Sequence, residues 1–250
     1  MIRMLENAVR QFAKRSGFLH IGQDNESTRE RWIQRNLSAL PQGWRLLDAG
    51  AGEQRHRHLC AHLKYVAQDF GKYDGIGDDR GLQTRQWNQA GLDIVSDITS
   101  VPEPDGSFDA VLCTEVLEHL PKPMEALKEL VRLLRQGGHL ILTAPFISMT
   151  HMAPYHYCTG FNRYFYDRAL PELGLEVIEL SYNGNFFEFV AQELRRVPSM
   201  AERYSATQML HLHEAAAIAI VLGMLRRLSR KDRGSSELCS FGLHVRAIKK

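Results

Sequence analysis

The chain is poor in cysteine, in long apolar runs and in any surplus of one charge. Its four cysteines, Cys60, Cys113, Cys158 and Cys239, lie far apart and form no C-x-x-C pair. Neither a zinc ribbon nor a redox pair is therefore expected, and the pattern suits reduced thiols in a cytoplasmic setting. The longest apolar run, Ala215 to Leu225, is well short of the roughly 20 residues that cross a bilayer. The start, Met1 to Asn7, lacks the apolar stretch and small-residue cleavage site of a secretory signal. With 31 basic and 29 acidic residues the formal net charge is +2, too weak a field to call for nucleic acid as a partner. There is no internal repeat and no low-complexity tract. What is present is 250 residues at 44% hydrophobic content, enough for one large α/β core.

Leu46-Leu47-Asp48-Ala49-Gly50-Ala51-Gly52-Glu53-Gln54 organises the rest. Two apolar residues run into an acid and then into alternate glycines, which predicts a buried strand, a tight turn and a helix from about Glu53 to His62. Glycines let the backbone approach a ligand, and N–H groups at a helix start favour a polar one. Tyr65 to Phe70 reads as a second strand, ending on Asp69, 21 positions beyond Asp48. That is where a dinucleotide-type fold places a ribose-binding carboxylate. A third glycine of G-x-G-x-x-G would fall on Arg55, so a hydride-transfer dehydrogenase is disfavoured.

Further strands are predicted over Leu92 to Asp97, Phe108 to Cys113, His139 to Thr143, Leu175 to Leu180 and Ser240 to Ile248. Pro121 and Pro123 open a helix that Gly137-Gly138 should stop, and Asp167 to Leu173 reads as a short one. The pattern is a doubly wound, mostly parallel seven-stranded sheet of Rossmann-like type, with ligands beyond the carboxyl ends of its strands. Residues 1–43 read as an N-terminal helical cap, with an apolar stripe of Ile2, Leu5, Val9, Phe12 and Ala13 and a second helix from Thr28 to Leu40. The main domain would run over 44–250, with a helical insertion over about 186–230. Ala215 to Leu225 is apolar all round and therefore predicted to be buried, in the domain or in a homodimer, although Arg226 and Arg227 beside it also suit an anionic membrane surface.

These motifs resemble the class I S-adenosylmethionine-dependent methyltransferases, type 11 methyltransferase-like. Leu47 to Gly52 is similar to their first motif; Asp97-Ile98, Gly106 to Val111, Glu115 to Leu120 and Leu134 to Leu140 are similar to later ones. The resemblance implies S-adenosylmethionine as cofactor, with Asp48 in the first motif. Gly50, Ala51 and Gly52 would lie along its methionyl and ribose part, and Asp69 would hold the ribose hydroxyls. Phe70 would lie against the adenine, Asp97 would accept from its amino group, Ile98 would contact it and Glu115 would lie near the methionyl end. Gln54 stands where the family carries a third glycine. The stretch from Ala144 to Tyr164 is similar to methyltransferases of glycan and surface-polysaccharide biosynthesis, which implies a saccharide hydroxyl as acceptor. A small-molecule acceptor of quinone type, a nitrogen acceptor and a non-catalytic interaction module are the alternatives.

The aromatic stretch 144–166 reads as substrate-binding, through Tyr155, Tyr157, Phe161, Asn162 and Arg163. A hydroxyl needs its proton removed before it attacks a sulfonium methyl, which makes histidine the natural general base. His119, past the fourth strand, is the first candidate; His156 and His151 follow. His56, His58, Cys60 and His62 invite a metal, but His58 and His62 lack evident further ligands, so none is expected. Glu118 reads as a structural carboxylate at a helix start.

Overall fold

The computed structural model describes residues 20–206 and 211–250. The helix expected over 1–16 lies outside them. Helix α1 (Asn25–Ser38) is followed by strands β1 (Arg45–Ala49), β2 (Lys64–Asp69), β3 (Ile94–Val95) and β4 (Phe108–Thr114). Then come α2 (Pro123–Leu133), β5 (Leu134–Pro145), α3 (Arg163–Glu172) and β6 (Leu175–Asn183), and finally α4 (Phe186–Tyr204), α5 (Leu212–Ser229) and β7 (Gly242–Lys249). The seven strands form one sheet of order β3-β2-β1-β4-β5-β7-β6. β1 pairs in parallel with β2 and β4, and β4 with β5, while β5 and β7 are antiparallel. The expected doubly wound α/β sheet is thus present.

The core follows from the apolar runs. Leu46 and Leu47 of β1 and Phe108 and Ala110 to Cys113 of β4 are fully buried, as continuous hydrophobic strands of a two-sided sheet must be. α2 starts with Pro123 at its first turn and turns Ala126, Leu127, Leu130 and Val131 inward, one stripe at helical spacing. α1 buries Trp32, Ile33 and Leu37 against Leu46, Leu112 and Ile141.

Several expected boundaries change. α2 ends at Leu133, and β5 begins at once with an extended Leu134. Gly137 and Gly138 therefore do not stop a helix; they lie where the pairing skips from Phe108↔Leu134 to Ala110↔His139, a bulge that Gly137 enters at φ +70°. The helix expected over Glu53 to His62 is a series of turns with one 3₁₀ turn, Arg57–Leu59. Gln54 sits at φ +56°, and a left-handed residue interrupts the helical ladder there.

The chain divides into two compact units, one of Arg29–Tyr182 with Gly242–Lys250, the other of Asn183–Phe241 with residues 20–28. In the second, α4 and α5 meet through Ala191, Leu222 and Leu225, joined by Ile21. Asn185 and Glu188 form a capping box at the start of α4. Burial of Ala215 to Leu225 within the single chain is partial: Leu222 and Leu225 are buried, whereas Ile220 is 74% and Met224 42% exposed. α5 contacts its neighbour along one line only, so most of its apolar side faces outward. No helix among the described residues is long and apolar enough to cross a membrane.

Candidate active site

β1 and β4 are neighbours whose onward connections leave in opposite directions, which opens a crevice at their carboxyl ends. β1 runs into Gly50 at φ +75°, where an added Cβ would come within 2.5 Å of the Val116 side chain. The N–H groups of Gly50 and Ala51 both donate to the Gln68 carbonyl at 2.9 Å. Gly52, at φ +51°, would drive a Cβ to 2.8 Å from the Trp87 ring. Its N–H donates to Asp69 Oδ2 at 2.9 Å, while Gly71 N–H donates to Oδ1. The turn and the end of β2 are thereby clamped together. Each Asp69 oxygen keeps a further lone pair for a ligand hydroxyl.

The site stays legible past this turn despite Gln54. Its backbone takes the left-handed conformation a glycine would adopt freely, and its side-chain amide donates to the Ala90 carbonyl at 3.0 Å. The shape of the turn survives the substitution at a cost of about 1–2 kcal/mol of local strain.

A cavity of about 510 Å³ occupies the crevice, within the range of small-molecule sites. Of the residues singled out from sequence, Gly50, Asp69, Phe70, Asp97, Ile98, Glu115, His119, Tyr155 and Tyr157 line it. Gln68, Lys72, Tyr73, Trp87, Val116, Met152 and others join them. Tyr73 and Trp87 come from the irregular stretch between β2 and β3, which has no periodicity to flag them. Their rings meet edge-on at 4.9 Å, and Tyr73 Oη donates to Gln83 Oε1 at 2.7 Å. Asp48 and Gly52 lie beneath this lining. Asp48 is buried and accepts from Tyr65 Oη at 2.5 Å; burial raises its pKa in spite of that bond. It braces β1 against β2.

Glu115 is a strained member of the lining, at φ +53°, as is Met152 at φ +51°. Its Oε1 accepts from Thr143 Oγ1 at 2.8 Å, and its Oε2 accepts from Arg29 Nη1 at 2.9 Å. Asp97 Oδ1 accepts from both the backbone N–H and the hydroxyl of Thr99, which lowers its pKa. It stays ionised, with Lys72 and Lys122 nearby reinforcing the charged form.

The three candidate histidines come together. The His119 and His151 rings are 4.6 Å apart, and those of His151 and His156 4.8 Å. His119 Nδ1–H donates to the Tyr155 carbonyl at 2.6 Å. Burial, with His151 beside it, pushes the His119 pKa down to about 3. At physiological pH it is neutral, so its 3.7 Å approach to Glu118 Oε1 is no ion pair. An imidazole that holds a proton this weakly is poorly matched to take one from a hydroxyl at neutral pH. Glu118 sits on the 3₁₀ turn Leu117–His119 and is 1% exposed, and burial raises its pKa well above the ordinary carboxylate value. Its carbonyl accepts from the N–H groups of Tyr157 and Cys158, tying the aromatic stretch to the end of β4. His156 Nε2 lies 3.1 Å from Ser148 Oγ.

The remaining candidates are placed elsewhere. Phe161 is buried against Phe165 and Tyr166, Asn162 caps α3 through the Phe165 N–H, and Arg163 pairs with Asp167 at 2.9 Å. None lines the cavity; the start of helix α3 accounts for two of them, which the aromatic composition of the loop had obscured. His56 approaches Glu30, and His58 Nδ1 contacts the Arg55 carbonyl, so these two histidines are drawn to separate partners.

Residues 47–142 match the family model described as a methyltransferase domain. A demethylmenaquinone methyltransferase of Chlamydia trachomatis is 25% identical over 228 residues, covering 88% of this chain and 91% of the relative. A ubiquinone biosynthesis O-methyltransferase of Xanthomonas oryzae pv. oryzae is 51% identical over 104 residues, covering 40% of this chain and 43% of the relative. Among solved structures, a SAM-dependent methyltransferase from Archaeoglobus fulgidus has the same fold, with a TM-score of 0.54 and 18% identity over 90% of this chain and 94% of that one.

Proposed function

We propose that this class I S-adenosylmethionine-dependent methyltransferase passes its methyl group to an oxygen of a small, quinone-type aromatic acceptor. One observation carries the choice of acceptor: the aromatic stretch after β5 gives the cavity Tyr155, Tyr157 and Met152 beside His119. Flat apolar walls suit an aromatic ring. A saccharide would call for several hydrogen-bonding side chains there, and Asn162 and Arg163, which could have served it, are engaged in α3. The names of the two relatives, both of quinone biosynthesis, support the same choice over the saccharide.

The cavity suits the cofactor. Gly50 and Gly52 keep the backbone bare along it, Asp69 retains acceptor capacity for ribose hydroxyls, and Asp97 is an ionised acceptor for an amino group. The cofactor supplies a methyl group on a sulfonium, already a good leaving group. Glu115, fixed by Arg29 and Thr143, would offer a carboxylate to that cation. Phe70, Tyr73, Trp87 and Tyr155 exclude water and hold the acceptor for in-line attack. The acceptor proton passes to solvent water beside His119, the one of the three histidines that lines the cavity. Because His119 is held near a pKa of 3, it orients the acceptor rather than storing the proton.

The test is incubation of purified protein with methyl-labelled S-adenosylmethionine and a panel of prenylated hydroquinones, catechols and saccharides. Mass spectrometry should find the label on an aromatic oxygen. Label on saccharides alone, or none on any acceptor while the cofactor binds, would overturn the proposal.

A further inference from the structure

We propose that Glu118, His119 and His151 form a binding site for a divalent first-row transition-metal ion at the edge of the acceptor wall. The three offer one ligand atom each, all within 4.8 Å of one another. His119 Nε2 and His151 Nε2 lie 3.7 Å and 3.9 Å from the same carboxylate atom, Glu118 Oε1. Two ligands on one ion, at about 2.0–2.2 Å each, can be at most about 4.4 Å apart. The carboxylate is thus already within that span of both rings, and closure of the two rings toward each other, from no more than 4.8 Å, completes the set.

The hydrogen bonds around the rings point the same way. Tyr155 and Met149 present backbone carbonyls, which only accept, so Nδ1 of both His119 and His151 must carry the proton. Each ring therefore turns an unprotonated Nε2 lone pair toward Glu118. Second-sphere carbonyls fix the tautomer of metal-binding histidines in this way. Two lone pairs converging on one carboxyl group call for a proton or a cation between them. His119 Nε2 and Glu118 Oε2 are also buried with no hydrogen-bond partner among the described residues, although Glu118 is 1% exposed. Buried polar atoms are seldom left in that state without a bound ion or water to serve.

The scaffold holds the set in register. Glu118 and His119 sit on the 3₁₀ turn Leu117–His119 after β4. His151 is braced by a bridge to Leu82, with Leu82 N–H donating to the Thr150 carbonyl and Met152 N–H to the Leu82 carbonyl, both at 2.9 Å. Two histidines and one carboxylate on one side of an ion leave its other positions open, a donor set suited to iron, manganese, cobalt or zinc rather than magnesium. Granting the acceptor proposed above, those positions would hold an acceptor oxygen beside the cavity.

Chelator-treated full-length protein, free of cofactor and acceptor, is titrated with Zn²⁺ by calorimetry and with Co²⁺ by visible absorption. One ion per chain is expected, with cobalt bands of mixed nitrogen and oxygen ligation. Glu118→Gln and His151→Ala should each weaken binding tenfold or more, and His58→Ala, outside the cluster, should not change it. Glu118 is buried, so circular dichroism checks that its variant folds; His151, in a surface stretch, gives the same test without that concern. No stoichiometric uptake by folded protein, or equal affinity in His151→Ala, overturns the site. Because the readout needs no turnover, it is independent of the identity of the acceptor.

Discussion

Arg29 Nη1 lies 2.9 Å from Oε2 of Glu115, the lining residue whose backbone is held at φ +53°. Arg29 is in the first turns of α1 and is 86 positions away in sequence, so an N-terminal helix reaches the cofactor cavity through one guanidinium. Arg29→Met should release the Glu115 carboxylate and weaken S-adenosylhomocysteine binding by about tenfold, the worth of one charge-assisted hydrogen bond of about 1.5 kcal/mol. Calorimetry reads the affinity. An unchanged value would show that Thr143 suffices to hold Glu115.

Gly50 and Asp97 should fail differently. Gly50→Ala forces a Cβ against Val116 and strains a left-handed turn, so it should cost about 1–3 kcal/mol of stability as well as affinity. Asp97 is exposed at the rim; Asp97→Ala should lower cofactor affinity at least tenfold while leaving the urea midpoint nearly unmoved. Paired calorimetry and urea melts separate the two.

Gln54 tests whether the turn demands a glycine-like backbone. Gln54→Gly removes the left-handed strain but also the bond to Ala90, so cofactor affinity should stay within about twofold of the parent. Gln54→Val cannot relax there and should cost about 1–2 kcal/mol of stability, read from urea melts.

His244 sets an acid limit. Its ring stacks on Trp32 at 5.0 Å, and burial, helped by Arg29 and Arg35 and opposed by Glu179, lowers its pKa to about 4. Between pH 4 and the ordinary histidine value near 6.5 the unfolded chain binds a proton that the folded chain refuses. Stability from this group is complete above pH 6.5 and is lost as the pH falls toward 4. His244→Phe keeps the stacked ring and should lose about 1–3 kcal/mol less than the parent between pH 7 and 4.5. Parallel urea melts across that range are the measurement; identical slopes would assign the acid sensitivity to other groups.

The sheet and the crevice at its carboxyl edge were legible in sequence because they rest on local rules. Leu46-Leu47 and Phe108 to Cys113 are apolar runs that only a two-sided sheet buries, and Gly50 and Gly52 are needed where a side chain would strike Val116 or Trp87. Asp69 and Asp97 stand at strand ends, where topology places ligands. The helix after Gln54 was misread because one left-handed residue outweighs several helix formers. The exposure of part of α5 in the single chain was not legible, because composition says that a helix is apolar and not what covers it.

The amino-acid order alone determined the α/β sheet, the glycine turn and the acids around it, since each depends on neighbours in sequence or on burial of a whole strand. Only the tertiary structure decided what the distant residues do. It brought Tyr73 and Trp87 from an aperiodic stretch into the cavity and Arg29 onto Glu115, and it moved Asn162 and Arg163 out of the site into α3. It also set His151 beside His119 and Glu118, 32 positions away along the chain. Such contacts depend on how the chain closes in space, and no local pattern of residues records that.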